Sequence, residues 1–192
     1  MTPEQIATLK ADILDSPDMS SQPASKAGSQ AIADLYNAAS CTDVWRTNAN
    51  VLSIYDAIDW SKYTPVDAVP SIDVATGNGA IQQFNVRLLI IQTKQMNLAN
   101  MLQARSTVDA SKANLRAGLR DAVIGLPAGA GGASVVAGGA GGSNVLNACA
   151  RKATRFEKLF ATSQATTGTV TANLLVLEGV VSVDEIQVAR ES

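Results

Sequence analysis

The residue types that do chemistry are scarce in this chain. It has 192 residues, two cysteines and no histidine. Without imidazole, Ser-His-Asp and Cys-His nucleophilic sites are excluded, and so is any His-ligated zinc site. Cys41 and Cys149 fall in no spaced motif and read as reduced thiols, with one disulfide between them as the alternative. Cys149 shares a helical stripe with Leu146 and Ala153, which makes it core rather than nucleophile. Two carboxylate pairs remain, Asp56 with Asp59 and Asp184 with Glu185. The first suits a loop after a helix, the second the capping turn of a helix N-terminus. No enzyme is expected, and no cofactor or metal.

The stretch PAGAGGASVVAGGAGGSN, residues 127–144, has the glycine content of a phosphate cradle. A Walker loop also needs a lysine, and none occurs between Lys112 and Lys152. A Gly-x-Gly-x-x-Gly register starting at Gly129 ends on Ser134 and fails. Such a run is flexible by default. Val135 and Val136 at its centre are apolar, which suits a loop tip ordered against a partner.

Lys112, Arg116 and Arg120 recur at four-residue spacing and give one helix a basic face. Arg151 and Arg155 extend the basic character further on. The charge is laid out in blocks: residues 1–80 carry net −6, 81–160 net +7 and 161–192 net −3. This layout suits subunits that complement one another, solvated helix faces, or non-specific contact with DNA phosphates. No helix-turn-helix or zinc spacing accompanies it.

The elements that would position these residues are mostly helices. Thr2, Pro3 and Gln5 make a capping box ahead of Ile6, Leu9, Ile13 and Leu14. A second helix is expected from about Lys26 to Ala39, with Val44-Trp45-Arg46-Thr47 as a short extended piece. A third, about 25 residues long from Ala80, carries Phe84, Leu88, Ile91, Leu98 and Leu102 as its core stripe. Another spans about 109–124, with Leu115, Leu119 and Val123 inward. A further helix runs from Ser143 or Asn144 to Phe160. Alternating Thr, Val and Leu from Thr166 to Leu177 read as a strand or arm. Ser182 and Glu185 box the last helix. The expected fold is mainly α: one domain over 1–192 with a helical bundle core, a Gly-rich loop at 127–144 and an extended or β C-terminal arm at 163–178. The N-terminus does not read as a signal peptide, and no membrane span is expected.

Five stretches carry a resemblance: TPEQIATLKADIL (2–14), VWRT (44–47), SKANLRAG (111–118), RKATRFEKLFAT (151–162) and EGVVSVDEIQVAR (178–190). Together they resemble a family of small proteins of tailed bacteriophages, encoded among head and tail assembly genes. The glycine run departs from the family, whose connection there is shorter. The resemblance implies a virion structural protein made in the host bacterial cytoplasm. Its implied role is a head–tail connector, an adaptor of the neck forming a homo-oligomeric, dodecameric ring. The ring would bind portal protein above and tail proteins below, with DNA passing non-specifically through its channel. Neighbour contacts are expected at Val135, Val136, Lys112, Arg116, Arg120, Arg151, Arg155, Leu174 and Leu175. The alternatives are a tail or capsid accessory protein and a DNA-associated packaging factor.

Overall fold

The structure is a computed structural model that describes residues 1–63, 79–127, 135–136 and 141–192. The chain forms two compact units. The first comprises Met1–Val44, Lys152–Gln164 and Asn173–Ser192, and the second Trp45–Arg151 and Ala165–Ala172.

In the first unit, α1 (Pro3–Asp15) begins at the expected capping box. Thr2 Oγ1 accepts from Gln5 N–H, and Gln5 Oε1 accepts from Thr2 N–H. Pro17 starts a single turn, α2 (Pro17–Ser20), whose Met19 is fully buried. Helix α3 (Lys26–Asn37) is capped by Ser25, whose hydroxyl accepts from Gly28 N–H. α8 (Arg155–Leu159) and α9 (Val183–Glu191) complete the helices of this unit, each opened by a capping box. Leu9, Ile13, Ile32, Tyr36, Phe156 and Ile186 share its core. Beside that core the Tyr36 hydroxyl donates to Asp12 Oδ2 at 2.6 Å. Burial, with the Asp12 carboxylate beside it, pushes the phenol well above its usual range.

Gly28 has a steric reason to be glycine. A Cβ there would overlap the Pro23 carbonyl oxygen, a backbone atom with little room to move. Gly28→Ala is therefore expected to destabilise by about 2 kcal/mol despite the better helix propensity of alanine, read as a lowered urea midpoint.

Four strands form a mixed sheet in the order β6-β1-β8-β7: β1 (Ala39–Trp45), β6 (Ala150–Thr154), β7 (Ala161–Thr167) and β8 (Val170–Leu175). β1 and β8 run parallel, with Val44 opposite Asn173. β7 and β8 are joined by the two-residue turn Gly168-Thr169, where Gly168 has φ +61°. Positive φ at the first turn position is what a two-residue hairpin asks of glycine.

In the second unit, α4 (Val51–Asp56) is capped by Asn50, and α5 (Gly79–Leu102) is the longest element. α6 (Ala113–Val123) and α7 (Gly142–Ala148) pack together, and α6 also packs on α5. Leu98, Leu102, Leu119, Val123, Val145 and Leu146 are buried here. Two small ladders complete the unit. β2 (Ala49–Asn50) pairs with β3 (Thr107–Val108), and β4 (Leu126–Pro127) with β5 (Val135–Val136), both antiparallel.

The mainly-α expectation is corrected. The protein is mixed, 58% helical and 19% strand, with a four-stranded sheet in place of a pure helical bundle. The helix expected across 144–160 is three elements: α7, then β6, then α8. Residues 150–154 keep an apolar period that fits a helix, but their backbone joins β1 instead. Arg46 N–H donates to the Cys149 carbonyl and Arg155 N–H to the Ala38 carbonyl, which sets the two strands antiparallel. Thr154 then caps a fresh helix. The C-terminal Thr-rich stretch starts its strand at Ala161 and supplies both β7 and β8.

Candidate interaction surface

The basic helix face is the first candidate, and the structure divides it. Arg116 is 2% exposed. Its guanidinium lies 4.6 Å from the centre of the Trp45 ring. Nη1 donates to the carbonyls of Ala110 and Ser111, both at 2.7 Å, and Nε donates to Thr167 Oγ1 at 3.0 Å. Burial lowers its pKa. Arg116 is therefore a structural pin of the second unit and presents no charge to a neighbour. Lys112 is exposed and lies 3.8 Å from Asp109. Arg120 is exposed and lines a cavity of about 730 Å³ with Ile124, Leu146, Ser143 and Thr169. A continuous three-residue phosphate-binding stripe does not exist on this helix.

The other basic candidates are tied into the fold. Arg155 reaches Ser16 Oγ at 3.2 Å and Asp12 at 3.8 Å, and lies over the Tyr36 ring. Arg151 is half-buried in β6. Leu174 and Leu175 are half-buried in β8, an inner strand of the sheet. Val135 and Val136 form β5, opposite Pro127 and Leu126. The rest of the glycine run, 128–134 and 137–140, lies outside the described residues.

The chemistry-bearing groups are dispersed. Asp59 accepts from the hydroxyl and N–H of Ser61, and these bonds hold its carboxyl below the usual range. Glu185 caps α9. Among the described residues no group of three His, Cys, Asp or Glu side chains could hold a metal ion. Cys149 is buried and Cys41 exposed, both as free thiols. Burial pushes the Cys149 thiol up to about 11. At pH 8 the native protein is expected to take up one equivalent of iodoacetamide, on Cys41, because alkylation needs an accessible thiolate. Peptide mass mapping reads the result, and equal labelling of Cys149 would contradict its burial.

Two apolar surfaces stand out instead. The first is the outer face of α5, about 36 Å long at 1.5 Å per residue. Its inner stripe, Ile91, Leu98 and Leu102, is buried as the periodicity implies. On the outer side Val86, Leu89 and Met96 are 56%, 63% and 59% exposed. Thr93 lies between them and donates its hydroxyl back to the Leu89 carbonyl. The helix contains no acid, and its two cations are engaged. Arg87 is buried, 5.8 Å from the Phe84 ring centre, and Lys94 donates to the Asp121 carbonyl. The exposed polar positions along and beside the ridge are uncharged: Gln82, Asn85, Gln92, Asn97 and Asn100. A helix facing only water normally carries charge there.

The second surface is a groove between α1 and α9 in the first unit, with a cavity of about 480 Å³. Ala7, Ala11, Leu14 and Val188 line it, with Lys10 as its one charged side chain and Ser192 at its edge. Leu14 and Val188 are 66% and 51% exposed. The periodicity gives each helix one apolar face, so the α5 ridge is not expected from it, and Leu14, expected within the α1 stripe beside Leu9 and Ile13, instead lines the groove. The signal was present: no acid occurs between Asp73 and Asp109.

No protein family model matches the chain, and no curated protein and no solved structure was found to be similar to it. Among the described residues no helix is long and apolar enough to cross a membrane.

Proposed function

We propose that the chain is a structural subunit of a tailed-phage virion, a head–tail connector that works as a homo-oligomeric ring between portal and tail. The family assignment rests on the sequence resemblance. The observation that carries the mechanical part is the outer face of α5, apolar along its ridge and uncharged along its flanks. Exposed apolar patches of this kind mark interaction sites. A subunit that leaves one on its longest helix is suited to membership of an assembly. The mechanism is positional: copies dock on an existing ring, extend its channel and offer the tail a surface.

The DNA-associated alternative is weakened by Arg116, whose charge is spent inside the fold. A tail or capsid accessory role shares the assembly argument and differs only in its partners. The test is a phage with the gene deleted. A connector predicts DNA-filled heads and free tails that do not join, with purified wild-type particles containing the chain. Normal infectious particles from the deletion would refute the reading.

A further inference from the structure

The glycine run carries no cation of its own, but the fold brings one to its end. Ser143 and Asn144, with Gly141 and Gly142 before them, line the cavity of about 730 Å³ in the second unit. Arg120 of α6 and Thr169 of the β7–β8 turn line it from other elements. Ile124 and Leu146 add an apolar wall, and no carboxylate lines the cavity. Of the three basic residues at four-residue spacing, Arg120 alone is uncommitted. Arg116 is spent inside the fold, and Lys112 lies beside Asp109. Among the described residues the Arg120 guanidinium has no hydrogen-bond or ion-pair partner. Its neighbour in sequence, Asp121, lies 3.7 Å from Lys94 instead. The Arg120 side chain still has a defined seat across the β7–β8 turn, where a Cβ on Gly168 would come within 2.8 Å of its Nε. On the same cavity the Ser143 and Thr169 hydroxyls share one hydrogen bond of 2.8 Å. One hydroxyl proton serves that bond, so the other O–H remains to donate outward.

We propose that this cavity binds a single phosphate group, carried by a small phosphorylated molecule with an apolar body. The guanidinium offers a planar fork that meets two phosphate oxygens at once. The remaining hydroxyl is a further donor. The cavity has the size of small-ligand sites, about 300–1,000 Å³. Ile124 and Leu146 give the rest of the molecule a surface to lie on. One uncommitted cation suits one phosphate, whereas a DNA duplex is held through several. The three polar side chains come from three elements, so no single stretch of sequence displays the site. The proposal does not depend on the connector reading.

The test is a titration of the full-length chain with phenyl phosphate at constant ionic strength, followed by amide NMR. Saturable shifts are expected at Ser143, Asn144, Gly168 and Thr169 and at the Arg120 Nε–H. Arg120→Gln is expected to weaken binding about tenfold, the loss of one charged hydrogen-bond partner. Ser143→Ala is expected to weaken it about threefold. Both residues are exposed, so both variants keep the fold, which their free spectra check. Lys112→Gln removes an exposed cation that does not line the cavity and is expected to change nothing. Inorganic phosphate is expected to bind more weakly than phenyl phosphate, and equal affinity would overturn the apolar body. Shifts reproduced by sodium chloride, absence of shifts, or binding untouched by Arg120→Gln would each overturn the site. A DNA duplex that binds through Arg120 while phenyl phosphate does not would overturn it in favour of a nucleic-acid contact.

Discussion

Arg116→Ala is expected to lower stability by about 4 kcal/mol, the upper range for a single substitution. The guanidinium serves three acceptors at once, the carbonyls of Ala110 and Ser111 and the hydroxyl of Thr167. Truncation leaves those groups without their partner, and a buried polar group left unpaired costs about 1–3 kcal/mol. The face of Trp45, itself fully buried, also loses a cation, a contact worth about 2 kcal/mol when desolvated. These losses overlap and do not simply add. Arg116→Lys keeps the charge but not the planar fork, so it is expected to recover only part of the loss. Urea unfolding reads both variants through the midpoint at unchanged slope. A loss under about 1 kcal/mol for Arg116→Ala would mean that the residue is peripheral.

Glu157→Gln is expected to destabilise by about 2–3 kcal/mol, nearly as much as Glu157→Ala. Glu157 is 2% exposed and both of its carboxylate oxygens accept from backbone. Oε2 takes the Thr154 N–H at 2.9 Å and Oε1 the Gly179 N–H at 3.0 Å. It thus boxes the start of α8 and ties the chain beyond the sheet back to it. An amide has one oxygen and one NH2, so one of the two sites would face donor to donor. The shape is preserved and the chemistry is not. Thermal unfolding of the two variants separates the possibilities. A glutamine variant as stable as wild type would show that one accepting oxygen suffices.

Local signals survived into the structure where they were self-contained. The capping boxes at Thr2 and Ser182 formed as read, because each needs only four consecutive residues. The core stripe of α5 held at Ile91, Leu98 and Leu102, while Phe84 and Leu88 are only half-buried. The failures involve partners distant in sequence. Residues 150–154 carry a helical period, but pairing with β1, more than a hundred residues earlier, decides their state. Arg116 sits at ideal spacing between Lys112 and Arg120 for a basic face. Only the placement of Trp45 and Thr167 over it shows that it points into the fold. The glycine run gave no ligand chemistry, and of its interior only Val135 and Val136 are described, as a strand. The outer face of α5 was legible as missing acids, yet reading it as an interface required knowing which side was already buried.

In the proposed connector role, this chain completes itself on other copies gathered by a portal. Its most direct test is the mass of the purified protein in solution, alone and with the phage portal. The expected result is a monomer at low concentration that becomes a ring of many copies when portal is added. A small stable oligomer whose mass ignores the portal would contradict it.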